Sequence, residues 1–274
     1  MKFIALACLI CVSLFANAQS VYNYTMFKNN YSVFNPAVSG MELKQHFALQ
    51  TRSRFVTGAS SPVGVTALYD QHLGENNAGI GINYSFLQAN AEKVNRLNLN
   101  LAIGLSLGKG TLSLGAGGGL CHVVNNASSG AQVSQMKGIL NAGLYFNSES
   151  IFLGVSSFQL NEPEYPQLGR TAPRIFSMTG GIKLNLSEGL EFRPSILYMN
   201  AHNGGDFFQI NALFEKKNIW FGGGYRNGDK VLIGMIGTDV KERIRIGYSL
   251  DFSTTGLQGT AWHELLLSMR LAKD

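Results

Sequence analysis

Five histidines, His46, His72, His122, His202 and His263, are the residues best suited to metal or proton chemistry. No two of them have the HxxxH or HExxH spacing that brings a pair of side chains onto one metal ion. His263 and Glu264 are neighbours, so in a strand they point to opposite faces. A serine hydrolase needs nucleophile, base and acid together. Ser249, Asp251 and His263 supply the types, but as strand residues they are better explained as polar groups facing a lumen. Glu162-Pro163-Glu164 offers carboxylates, short of the six or more oxygens that calcium takes. The glycine run within Leu114–Gly119 neither opens a helix nor precedes a Lys-Ser/Thr pair, so it is no phosphate cradle. The expectation is a non-enzymatic protein with no cofactor, no metal and no catalytic residue.

The elements that carry these residues are strands. From Leu97 to Leu107 every odd position is apolar, while Asn98, Asn100, Ala102, Gly104 and Ser106 occupy the even ones. That period of two marks a strand between an apolar and a polar medium. Ile244, Ile246, Tyr248, Leu250 and Phe252 form a second such stripe, opposite Arg243, Arg245, Gly247, Ser249 and Asp251. Arginine on a lipid face costs about 2–4 kcal/mol at mid-membrane, so this polar face belongs to a lumen. Fourteen such segments recur, from 43–52 to 261–271. The fold expected is an all-β transmembrane outer-membrane barrel of about fourteen antiparallel strands.

Connections give a second line of argument. Gly108-Lys109-Gly110, Asn147-Ser148-Glu149, Ser187-Glu188-Gly189 and Glu215-Lys216-Lys217 are tight and fall at every second junction. The alternate junctions hold the longest connections, 124–137 and 158–173. Short turns on one rim and long loops on the other are a barrel property. Phe86, Tyr145, Phe146, Tyr198, Trp220, Tyr225, Phe252 and Trp262 sit near strand ends and are expected at the lipid headgroups. Gly115, Gly117, Gly118 and Gly119, with Gly222, Gly223 and Gly224, mark either bends in the wall or room for something inside.

Lys2, an apolar run from Phe3 to Ala16 and the small-x-small Ala16-Asn17-Ala18 make residues 1–18 an expected export signal. Cys8 and Cys11 leave with it, so Cys121 has no disulfide partner. Both lie too early for a lipoprotein boundary. The aromatic, Asn-rich residues 19–42 precede the barrel at 43–271 and are expected on the periplasmic rim or in the lumen; 272–274 form a tail. Charged residues are 14% of the chain, well below the roughly 25% of soluble domains. The net charge of +5 is dispersed, which excludes nucleic acid as a partner.

Several motifs in order resemble one family. Tyr24-Thr25-Met26-Phe27-Lys28-Asn29 and Asn35-Pro36-Ala37-Val38-Ser39-Gly40 are similar to the opening of the PorP/SprF-type proteins of type IX secretion and gliding in Bacteroidota. Arg52-Ser53-Arg54-Phe55, with Gly58 and Pro62, resembles the next element, Phe55 standing for the usual Trp. Tyr225-Arg226-Asn227-Gly228-Asp229, Ile246-Gly247-Tyr248-Ser249-Leu250-Asp251 and His263-Glu264 complete the series. The resemblance implies export or surface anchoring of cargo and adhesins with a C-terminal sorting domain, beside periplasmic peptidoglycan-associated components. Residues expected to touch partners are Tyr24, Phe27, Asn35, Pro36, Arg52 and Phe55 from the opening motifs, and Tyr165 and Arg170 from the long loop. Loops 124–137 and 158–173 are expected to face cargo. Outer-membrane lipid is the remaining partner. A pore or small-solute transporter is the alternative, sharing every strand.

Overall fold

The computed structural model describes residues 24–54, 61–74, 77–126, 132–202, 204–254 and 261–271. The export signal expected at 1–18, Phe55, Gly58 and the tail at 272–274 lie outside the described residues. Fourteen antiparallel strands close into a barrel: β1 Gln45–Arg54, β2 Val63–His72, β3 Ala78–Ala89, β4 Glu92–Leu107, β5 Gly110–Asn126, β6 Gln132–Ser148 and β7 Ile151–Phe158 form one half. The other half is β8, Ile175–Ile182 continued through Leu184–Ser187, then β9 Leu190–Ala201, β10 Asp206–Lys216, β11 Ile219–Arg226, β12 Val231–Val240, β13 Ile244–Ser253 and β14 Trp262–Arg270. Pairing of β14 with β1, from His46↔Arg270 to Arg54↔Trp262, joins the ends of the sheet and leaves no seam.

The alternation of β4 holds in the wall. Leu99, Leu101, Ile103 and Leu105 are exposed, while Asn98, Asn100 and Ala102 are buried in the lumen. From Leu97 to Leu107, a rise of ~3.3 Å per residue at ~40° tilt covers roughly 25 Å, the height of an outer-membrane apolar band. On β13 the outward Ile246 and Phe252 are exposed, and the inward Ser249 and Asp251 buried.

Two expectations about the rims are corrected. Residues 124–137 are mostly strand rather than loop: β5 runs to Asn126 and β6 starts at Gln132, paired throughout, so a ribbon extends this side of the wall. Apolar alternation fades after Val123 and before Gly138, so the stretch between reads as loop, while backbone pairing continues to Asn126↔Gln132. Within the long connection after β7, Glu164–Tyr165 pairs with Arg170–Thr171 as a small hairpin around a 3-10 turn at Pro166–Leu168.

The expected aromatic belt also changes. Tyr145 and Trp220 are almost completely buried, facing the lumen rather than lipid. Their inward register is hidden because each sits between large apolar residues, Tyr145 between Leu144 and Phe146 and Trp220 between Ile219 and Phe221, so no polar neighbour marks the luminal face. Outside, Phe192, Phe214 and Phe221 stack across β9, β10 and β11 with centroids 4.7 and 5.7 Å apart. Tyr225 and Phe252 do face outward.

Candidate functional site: a luminal lock on the N-terminal segment

Residues 24–40 thread the lumen as three short turns, a 3-10 turn at Phe27–Asn30, a helical turn at Tyr31–Phe34 and another 3-10 turn at Pro36–Val38. Tyr24, Phe27, Phe34 and Ala37 are buried in one apolar cluster with wall residues Ala48, Leu68, Tyr145, Leu197 and Met199. Asn35 organises the last turn. Its Oδ1 accepts from the Ala37 amide at 3.0 Å, and its Nδ2 donates to the Leu144 carbonyl at 2.9 Å. Pro36, at the first position of the turn, has no N–H to leave unpaired.

The luminal glycines are the seat for this segment. A Cβ on Gly115 would lie 2.2 Å from the Ala37 nitrogen, and one on Gly143 would lie 2.0 Å from the Asn35 oxygen. Gly119 serves another purpose: a Cβ there would meet the Asn98 side chain at 2.5 Å. Its absence lets Asn98 bridge from Asn83 on β3 to Asn141 on β6, 3.1 Å on each side. Gly118 faces outward into open space. Of the two readings of this run, room inside therefore applies to Gly115.

At the other end, two arginines and two carboxylates meet in the wall. Asp251 on β13 accepts from Arg52 Nη2 of β1 and Arg226 Nη2 of β11, both at 2.7 Å. Glu264 on β14 lies 3.3 Å from Arg52 Nη1. Arg226 also donates to Asp229, at 2.9 and 3.0 Å, and to Gln209 at 3.0 Å. Arg52 stacks over Trp262, its guanidinium carbon 4.7 Å from the ring centroid. Arg226, Asp251 and Glu264 are all fully or almost fully buried.

The N-terminal segment completes this cluster. The Glu264 carboxylate accepts from the Thr25 and Met26 amides at 2.9 and 2.8 Å. Thr25 Oγ1 donates to Asp251 at 2.8 Å and accepts from Arg52 Nη1 at 3.0 Å. The Thr25 carbonyl accepts from Gln209 and Asn211, each at 2.9 Å. Gln50 donates to Glu264 and accepts from Asn30. A buried charge pair persists only when its remaining hydrogen-bonding capacity is met, and here Thr25 meets much of it.

A third contact holds the turn at Lys28. Its ammonium pairs with Glu42 and lies 4.2 Å from the Phe152 ring centroid. Burial pushes the Glu42 carboxyl up, but the Lys28 charge and hydrogen bonds from Lys28 and Tyr145 outweigh it and leave the carboxyl below its usual range.

Below this segment the lumen widens at the short-turn rim into a vestibule of about 940 Å³. Its wall carries a ladder of ion pairs: Lys183–Glu191 at 2.9 Å, Glu191–Arg193 at 2.6 Å, Arg193–Glu215 at 3.1 Å, Glu215–Arg245 at 2.9 Å and Arg245–Asp239 at 2.8 Å. At the opposite mouth Tyr165 is buried against Val94, Cys121, Val123 and Ile139, so the small hairpin lies across the lumen. Arg170 tethers it to Glu92 at 2.8 Å. Glu162 of the acidic loop lies 2.9 Å from His202 and 3.8 Å from Arg174.

Of the residues expected to touch partners, all but Phe55, which lies outside the described residues, make contacts within the molecule. Tyr24, Phe27, Asn35, Pro36 and Arg52 anchor the segment, and Tyr165 and Arg170 hold the hairpin. Sequence reasoning missed Arg226, Asp251 and Glu264 as site residues, although each stood in a quoted motif. The hydrolase set is not assembled. Ser249 and Asp251 face the lumen, whereas the His263 ring lies on the other face with Tyr248 Oη 2.7 Å away.

A closed fourteen-strand barrel with an apolar outer face and a polar lumen defines an outer-membrane β-barrel. Solved structures agree on the fold: a Pseudomonas aeruginosa FadL homologue has a TM-score of 0.56 and 11% identity, covering 88% of this chain and 94% of its own. Acinetobacter baumannii Omp33 gives 0.54 and 7%, covering 85% and 100%. The Pseudomonas putida toluene transporter TodX gives 0.51 and 11%, covering 93% and 94%. No curated protein sequence matches the chain. The family model for the type IX secretion system membrane protein PorP/SprF matches residues 16–269, and the chain belongs to that family.

Proposed function

We propose that the protein is a non-enzymatic outer-membrane component of type IX secretion that assists export or surface anchoring of cargo carrying a C-terminal sorting domain. The observation that carries this reading is the filled lumen. Residues 24–40 occupy it, and the motif residues Arg52, Arg226, Asp251 and Glu264 are spent on holding them there. Such an occupant argues against a freely open pore, while transporters with a plugged lumen share the feature. A rigid wall with two structured rims suits docking instead. In this reading the vestibule faces the periplasmic peptidoglycan-associated components, because short turns mark the periplasmic side. The ribbon of β5 and β6 and the small hairpin face cargo.

Conductance in planar bilayers separates this from the pore reading. The full protein should stay closed, and deletion of residues 24–40 should open ion passage at least tenfold. Steady wide-pore conductance by the full protein would overturn the proposal.

A further inference from the structure

Among the described residues, β6 lacks a neighbouring strand along its upper half. β5 pairs with β6 along the whole of Gln132–Ser148, but β7 pairs with β6 only over Ala142–Asn147. Above that level the chain turns aside at Gln159, where φ is 55°. It returns two contacts to the β6 edge. The Leu160 amide donates to the Leu140 carbonyl at 2.9 Å, and Asn161 bridges the Leu140 amide and the Gly138 carbonyl at 3.0 and 2.9 Å.

Leu140 therefore points its N–H and C=O away from β5. In an antiparallel strand the same holds for every second residue. Ser134 and Met136 share that side, and among the described residues no backbone or side-chain group pairs with their main-chain N–H or C=O. Proteins blunt such edges with proline, a bulge or an outward lysine. Gln132–Gly138 has no proline, its register with β5 is unbroken, and Lys137 lies on the luminal face beside Cys121. At the foot of the edge is a groove of about 500 Å³ lined by Gly118, Gly138, Leu140, Asn161, Pro163 and Glu164.

We infer that Gln132–Gly138 is a docking edge that accepts an extended segment of another polypeptide as an added strand. The segment would run antiparallel to β6, in line with β7, with the groove taking a side chain from its lower end. Main-chain hydrogen bonds supply affinity in this mode, and the groove supplies selection. Lipid acyl chains do not fit, because this stretch stands above the apolar band and because they offer nothing to an amide or a carbonyl. A second copy does not fit either. Two barrels in one membrane point β6 the same way, so they would offer each other parallel strands, the less stable pairing.

The test uses the full protein in nanodiscs, with the sorting domain of a cargo protein from the same cells as probe. That choice of probe rests on the proposed secretion role; the edge itself does not. Met136→Pro removes the free N–H without touching the ladder to β5, and Met136→Ala removes only the side chain. Heat-modifiable gel migration checks that each barrel has formed, and Ser134→Pro serves as a second edge variant.

Expected are binding to the parent protein, at least tenfold weaker binding to Met136→Pro, binding within twofold for Met136→Ala, and slowed amide exchange at Ser134 and Met136 in the parent complex. Equal binding by Met136→Pro, or unslowed exchange at those amides, would overturn the docking edge and leave the secretion role standing. If the sorting domain does not bind the parent, exchange in membranes from secreting cells decides. Protection at Ser134 and Met136 that disappears on purification keeps the edge and removes this cargo. Equal exchange in both preparations overturns the edge.

Discussion

Asp251 is the carboxylate that joins the two buried arginines, since Arg52, Arg226 and Thr25 converge on its two oxygens. Replacing it with alanine leaves the part-exposed Asp229 as the carboxylate partner of Arg226 and Glu264 as that of Arg52. The expected loss is about 3–5 kcal/mol, the usual consequence of stranding a buried charge. Urea unfolding in micelles, followed by tryptophan fluorescence, measures it. Glu264→Gln keeps one acceptor for the Thr25 and Met26 amides and should cost less, about 1–3 kcal/mol. Equal losses for the two would argue that the amides, not the arginines, dominate. Asp251 is legible in the sequence as a charge on a lumen-facing stripe, and Arg52, Arg226 and Glu264 as members of the family motifs. What sequence periodicity could not give was their convergence, because Thr25 and Asp251 are 226 positions apart.

The N-terminal segment is an element held mainly by tertiary contacts, because its helical turn is four residues long and cannot stand alone. Gly115→Leu would drive a side chain into the Ala37 backbone. The expected outcome is an intact barrel with residues 24–40 newly open to protease, and a resistant segment would count against the seat described here. The Lys28–Glu42 pair adds a pH dependence. Because the Glu42 carboxyl is lowered in the folded protein, its contribution is present above the ordinary carboxylate range and is lost as pH falls through the folded value. Acid should therefore loosen the segment, measured as faster amide exchange at Lys28 to Tyr31, and Glu42→Gln should abolish the acid step. Strands were legible wherever lipid imposed alternation, as on β4 and β13. They were not where β5 and β6 rise into water, since there pairing alone, without a buried face, maintains the strand.

At the scale of the whole molecule, closure and strand number followed from pattern because a barrel repeats one constraint around its circumference, whereas turn lengths segregate only in part, Asn90–Ala91 being a tight turn on the long-loop rim. Occupation of the lumen was one of two places open for residues 19–42, and pattern could not choose it, since the same inward asparagines and glycines would line a water-filled pore. The secretion role is tested most directly by the amount of sorting-domain cargo on the surface of cells lacking the gene, before and after it is restored. Cargo should vanish from the surface on deletion and return with the full protein. Unchanged cargo display accompanied by loss of a small solute's uptake would contradict the secretion role and restore the pore.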